Sequence, residues 1–405
     1  MQKHPDRPTF SSVLSNGAFL MLWIGQLLSQ LADRVFIYAL MIIAYSLTRS
    51  NLGVAVPLLS FGIPSLLFGS FAGVFADRMD RKGIMIVSAI MRGLLILLIV
   101  PLVGKSMVAI FLVSFFIYTA AQFFAPAESS SIPELVQKKD LIVANSLFMI
   151  TWVSASMLGF GLGAPLVSYL EEKGTFVVAA VLYFFAAGAI FLVPLKYKDS
   201  RKRELKFSFF TDFVTGLEFL RRKFVVNFAI ITSFVATSAI AIVSLLAISY
   251  AKDVLHIGER NFGYLIIFLG LGMLLGLGIL ERLSHYLKKG VLVTTGFILS
   301  GTILAVIANI SDLRWALGLT FLLGVCNIVL TSSIQTILQQ SVPRKIMGRV
   351  FGVQNMMINS AFVFPVIIWG GIADLWGITT AFSLLGGMLF LTGIATLFVP
   401  KFRSL

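Results

Sequence analysis

Long apolar runs alternate with short polar breaks along the whole chain, and each run is long enough to cross a bilayer as a helix. Windows of roughly 20 apolar residues predict spans at 19–47, 53–76, 84–103, 108–126, 145–170, 176–195, 225–250, 262–280, 291–310, 315–339, 350–372 and 380–399. The longest break, 196–223, falls between the sixth and seventh runs. It divides the chain into an N-terminal six-helix half (1–195), a linker (196–223) and a C-terminal six-helix half (224–405). In the linker Phe209, Phe213, Leu217 and Leu220 recur at helical spacing, with Asp212, Glu218 and the basic cluster 221–223 placed elsewhere. That pattern predicts an amphipathic helix on the membrane surface.

The two halves echo each other. Gly73, Asp77, Arg78, Lys82 and Gly83 after the second run are matched by Gly278, Glu281, Arg282, Lys289 and Gly290 after the eighth. Pro133 before the fifth run is likewise matched by Pro343 before the eleventh. Internal repeats are how many transporters build a central site.

Composition agrees with a membrane setting: 58% hydrophobic and 12% charged residues leave more apolar surface than a soluble core of this length could bury. The net charge of +14 invites a nucleic-acid reading until Lys and Arg are sorted by loop. With both termini and the even-numbered loops on one side, that side holds 24 basic residues and the other six, Arg49, Lys105, Lys173, Lys252, Arg260 and Arg314. The positive-inside rule places both termini in the cytoplasm. The first run, at 29 residues, is too long for a cleaved leader, so no cleavage is expected. A single cysteine, Cys326, excludes an intrachain disulfide and reads as a buried, inert thiol.

The loop GVFADRMDRKG, 73–83, sets a carboxylate, three cations and small residues at fixed offsets between two spans. It resembles the signature loop of the major facilitator superfamily, with Gly73, Asp77, Arg78 and Arg81 on the pattern. The resemblance implies the twelve-helix fold of that family. It also implies a gating role for these residues, with Glu281, Arg282 and Arg349 as further members of the gate. The stretches 22–50, 123–147 and 342–355 narrow the resemblance to the branch of drug, macrolide and siderophore exporters. In that branch span 5 usually carries a Gly-Pro pair and then Gly-Gly; here Gly159 precedes Phe160 and Gly163 precedes Ala164. Ser156, Gly159 and Gly163 still share one helix face suited to close packing.

Candidate chemistry concentrates in the first span. Gln26, Ser29, Gln30 and Asp33 recur at i, i+3, i+4 and i+7, a single polar stripe on an apolar helix. A carboxylate at mid-membrane costs at least ~3 kcal/mol unless paired or hydrated, so Asp33 reads either as a titrating group facing a cavity or as a structural ion pair with Arg34 or with Arg92 of span 3. Arg92 reads either as part of that site or as a cation snorkelling to the cytoplasmic face. Glu128 reads as a gate or loop partner for a nearby arginine. In the second half Thr237, Gln335, Asn355 and Asn359 mark inward faces, as substrate contacts or as helix glue.

Enzyme chemistry finds no support: His4, His256 and His285 are the only histidines, and no HExxH, paired cysteines or complete phosphate loop is present, position 99 being Ile99 rather than the Gly that a loop ending in 104–106 requires. No metal, cofactor or nucleic-acid partner is expected. The sequence therefore predicts an all-α membrane protein with the major facilitator fold, a monomeric secondary transporter of the inner membrane. Its expected activity is alternating-access, proton-coupled efflux of small amphipathic compounds, with Asp33 as the main titrating group. Lipid, lysophospholipid or siderophore transport without clear proton coupling stays open, as does a non-transporting sensor.

Overall fold

The computed structural model describes residues 10–103, 105–195, 221, 223–343 and 346–399, and every regular element among them is helical. The expected surface helix of the linker lies outside the described residues. Eleven stretches among the described residues are long and apolar enough to cross a membrane. Spans 1 to 4 are Gly17–Thr48, Asn51–Arg78, Arg81–Ile99 and Met107–Leu135. The fifth stretch, Leu141–Phe191, is 51 residues long, about 75 Å as a straight helix against a hydrocarbon core of about 30 Å. It is broken at Glu171, whose φ of 58° and ψ of −176° no α-helix contains. The stretch is therefore two crossings, spans 5 and 6, which makes twelve spans among the described residues.

Spans 7 to 10 are Phe224–Ser249, Gly263–Tyr286, Lys289–Ile307 and Leu313–Ser341, and span 12 is Ile378–Leu397. Span 11 comes in two pieces, Met347–Ser360 and Phe364–Trp376. Pro365, in the first turn of the second piece, has no N–H to carry the ladder back across the break.

The helices gather into two compact units. One comprises Met1–Ile43 and Pro64–Leu205, the other Ala44–Ile63 and Lys206–Leu405. The hairpin that ends span 1 and begins span 2 is thus packed with the C-terminal spans. Inside the first unit span 3 lies against spans 4 and 6; inside the second, span 9 lies against spans 10 and 12. The repeat extends to single residues. Gly93 stands 12 positions after Arg81, the first residue of span 3, and Gly301 stands 12 after Lys289, the first of span 9 (93 − 81 and 301 − 289). A Cβ at Gly93 would lie 2.9 Å from the Phe184 ring of span 6, and one at Gly301 2.5 Å from the Phe390 backbone of span 12.

Candidate functional site

Span 1 is 32 residues long, and Asp33 sits 16 residues from its start and 15 from its end (33 − 17 and 48 − 33). The apolar cluster that includes Phe19, Leu22, Phe124, Ala127 and Ile190 packs the start of span 1, the later part of span 4 and the end of span 6 together. It holds in register the polar groups that lie one to three turns further along.

Arg92 of span 3 is the centre of those groups and is 1% exposed. Its Nη2 donates to Ser29 Oγ at 3.0 Å, its Nη1 to Asp33 Oδ2 at 3.4 Å and to Tyr183 Oη at 3.4 Å, and its Nε to the Ser88 carbonyl at 3.4 Å. The guanidinium carbon is 4.4 Å from the centre of the Tyr183 ring and 4.8 Å from that of Phe124. An arginine so placed is held by ring faces and by hydrogen bonds. It does not snorkel. The Tyr183 hydroxyl in turn donates to Asp33 Oδ1.

The ion pair is Asp33 with Arg92. Arg34, one residue and about 100° further round the helix, lays its guanidinium over the Trp152 ring at 5.6 Å, and its Nε is buried without a hydrogen-bond partner. The two members of the pair differ in access: the Asp33 side chain is 20% exposed and that of Arg92 1%. The carboxylate is the accessible member of the pair. The 3.4 Å contact is also longer than the 2.7–2.9 Å of a tight charge-assisted bond, and a single guanidinium nitrogen makes it rather than a bidentate clamp.

Gln26 is buried, with Oε1 lacking a partner, and Gln30 is half-buried. Glu128 lies inside span 4 rather than at a loop, 7% exposed and with Oε1 unpartnered; Arg92 and Asp33 are the charges that act on it. Gly159 and Gly163 bring span 5 against span 1: a Cβ on Gly159 would lie 2.3 Å from Arg34 Cβ, and one on Gly163 2.4 Å from the Tyr38 ring. Ser156, on the same face, donates to the carbonyl of Trp152, the residue under Arg34.

Of the signature loop, Gly73 and the side chains of Asp77 and Arg78, with that of Glu281 in the repeat, lie outside what the structure describes. Arg81 is described: its Nη1 bonds the Ser130 carbonyl and Glu134 Oε1, each at 2.8 Å, fastening the start of span 3 to the end of span 4. Asp80 caps span 3 by accepting from the backbone N–H groups of Lys82 and Gly83. Arg282 and Arg349 are exposed.

In the second unit the polar contact is made by a residue the sequence reading passed over. Gln354 of span 11 is 4% exposed and donates through Nε2 to Gln335 Oε1 at 3.0 Å and to Ser233 Oγ at 3.4 Å, joining spans 11, 10 and 7. Thr237 is half-buried one turn beyond Ser233, Asn355 is exposed and Asn359 half-buried. The spacing of Asn355 and Asn359 marks a helix face correctly, but the buried face is one residue, or about 100°, away. Cys326 is half-buried rather than buried.

The profile of the Major Facilitator Superfamily matches residues 22–365, a range that takes in Asp33, Arg92, Tyr183 and Gln354. The chain belongs to the major facilitator superfamily. Among its relatives in that superfamily, "Multidrug efflux pump Tap" of Mycolicibacterium fortuitum is 23% identical over 96% of this chain and 97% of its own length. "Lysophospholipid transporter LplT" of Klebsiella pneumoniae is also 23% identical over 96% and 97%. A solved structure of the "nucleoside transporter NupG" superposes with a TM-score of 0.75 at 14% identity, covering 94% of this chain and 98% of its own, which bears on the fold alone. The all-α architecture of twelve spans is that of a facilitator transporter.

Proposed function

We propose that this chain exports small amphipathic compounds by alternating access, as a proton antiporter of the inner membrane with both termini cytoplasmic. The observation that carries the proposal is the pair of Asp33 and Arg92: a half-buried carboxylate in reach of water, bonded to an arginine that has no exit. Protonating Asp33 removes the counter-charge of Arg92, and a buried cation left unpaired costs several kcal/mol. The cation must then find another anion or the helices must move. Glu128 of span 4, buried with one carboxylate oxygen unpartnered, is our candidate for that anion. A proton on Asp33 is thereby coupled to the packing of spans 1, 3, 4 and 6. The polar contact of Gln354, Gln335 and Ser233 offers neutral hydrogen-bonding groups for the uncharged parts of a substrate.

The likeness to a multidrug efflux pump supports export of drug-like amphipaths, and the weaker match to a lysophospholipid transporter at the same percentage identity supports a second reading, lipid movement without proton coupling. Flux into proteoliposomes decides between them, measured with an amphipathic fluorescent dye and with lysophosphatidylethanolamine, each with and without a pH gradient. Dye flux driven by the gradient in wild type, and lost in Asp33→Asn while dye binding and downhill exchange persist, is the expected result. Gradient-driven flux retained by Asp33→Asn with the same pH dependence removes Asp33 as the coupling site.

A further inference from the structure

The hairpin Ala44–Ile63, which packs with the C-terminal spans, is held there by a carboxylate. Asp374, near the end of span 11, accepts four hydrogen bonds from three consecutive residues at the start of span 2. Ser50 Oγ and the Leu52 N–H reach Oδ2 at 2.5 and 3.0 Å, and the Asn51 N–H and Nδ2 reach Oδ1 at 2.7 and 2.9 Å. Asn51 in turn accepts from Ser249 Oγ, at the end of span 7, at 2.6 Å. One carboxylate and one amide thus tie together the ends of spans 2, 7 and 11.

The first turn of any helix has N–H groups without partners inside the helix, and a side chain just before the helix ordinarily takes one of them. At span 2 Ser50 Oγ takes the Gly53 N–H in that ordinary way, while the N–H groups of Asn51 and Leu52 go to a residue 323 and 322 positions away. The arrangement exists only while the hairpin is seated. Below it, the two helices run antiparallel in contact. A Cβ on Gly370 would lie 3.2 Å from Leu52 Cα, the Phe61 and Phe362 rings meet edge-on at 5.4 Å, and a Cβ on Gly62 would lie 2.8 Å from Val363. The exposed ion pair of Arg49 with Glu259, at 3.5 Å, lies on the same hairpin and adds little, since exposed pairs are screened and entropically costly.

We propose that Asp374 is a gating residue: with Ser50, Asn51 and Ser249 it forms a latch that keeps the first hairpin on the C-terminal spans, and transport requires the latch to open. The loops concerned, 1–2, 7–8 and 11–12, are odd-numbered, so on the charge pattern the latch closes the external end of the pathway. The proposal rests on the alternating-access reading, but its test needs neither a substrate nor a proton gradient.

Ser249 is 1% exposed and covered by Asn51, which makes Ser249→Cys a reporter of the seated state on a Cys326→Ser background in the full chain. An impermeant maleimide added outside should react with it slowly when residue 374 is Asp. In Asp374→Asn, which keeps the shape but replaces two acceptor lone-pair sites with donors facing N–H groups, the rate should rise about tenfold. Asp374→Glu, which keeps the charge, should stay close to the slow rate. Monodisperse elution and an unchanged Tm establish folding. Should Asp374→Asn not fold, Ser50→Ala removes one side-chain donor to the carboxylate while keeping Asn51 over the reporter, and carries the same expectation. Equal labelling rates in a folded latch variant and its parent overturn the proposal. Faster labelling in a protein whose flux ignores the pH gradient upholds the latch and removes the coupling reading instead.

Discussion

Arg92 is the residue at which burial and charge conflict most, and its neighbours show how the conflict is met. Three hydroxyl or carbonyl oxygens, two ring faces and one carboxylate surround it. Removing the cation alone leaves Asp33 unpaired, so Arg92→Leu should lower stability by about 3 kcal/mol. Asp33→Asn with Arg92→Leu, which removes both charges, should recover most of that loss while remaining inactive in gradient-driven flux. Denaturation in detergent of the two single variants and the double variant measures the coupling, and additive losses would show that the two side chains do not interact. The stripe Gln26, Ser29, Gln30 and Asp33 was legible because helical periodicity survives in a sequence, and Arg92 was legible because a mid-span cation is costly. Tyr183, Gln354 and Asp374 were not. Each is defined by a partner on a helix between 19 and 323 residues away, and hydropathy carries no information about which helix faces which.

At the scale of the helices, the small residues of span 5 decide how closely it can approach span 1. Gly163 has the Tyr38 ring at a distance no side chain could share, whereas Gly188 in span 6 has nothing within 4 Å. Gly163→Val should therefore cost roughly 1–3 kcal/mol by overpacking and lower the Tm. Gly188→Ala should be neutral or stabilising by about 0.5–1 kcal/mol, because alanine restricts the unfolded chain and favours the helix. Thermal melts of both variants give the comparison, and equal shifts would mean that span 5 is free to move away. Helix positions were legible in the apolar runs to within a few residues at most ends; span 4 runs nine residues past its predicted end, to Leu135, and span 8 six past its own, to Tyr286. The joining of spans 5 and 6 around Glu171 and the break in span 11 at 361–363 were less so, since a run of apolar residues records length and leaves the path of the backbone open. The seating of the first hairpin on the C-terminal spans had no signal in the apolar pattern at all. Asp374 falls two residues beyond the predicted end of span 11, where a carboxylate reads as ordinary loop chemistry.

At the scale of the whole chain, two repeats of one six-helix plan have been given different polar interiors. The first carries the charges and the second carries amides and hydroxyls, while equivalent glycines, Gly93 and Gly301, keep the same helix contacts. The pairing of Asp33 with Arg92 also has a consequence for biosynthesis. Span 1 holds the least apolar core of the eleven stretches and span 3 the most apolar. The ribosome delivers the weak segment first, and its acid waits for an arginine 59 residues downstream. Span 3 can carry its own cation into the membrane on the strength of its leucines and isoleucines, but span 1 must hold a carboxylate worth about 2.5–3.5 kcal/mol of insertion penalty. Nascent chains truncated after span 2 should therefore integrate span 1 less completely than chains extended through Arg92, and Arg92→Leu should abolish the gain. Glycosylation mapping of truncated chains in microsomes reads the integrated fraction directly; equal fractions at both lengths would mean that the first helix enters the bilayer without waiting for the third.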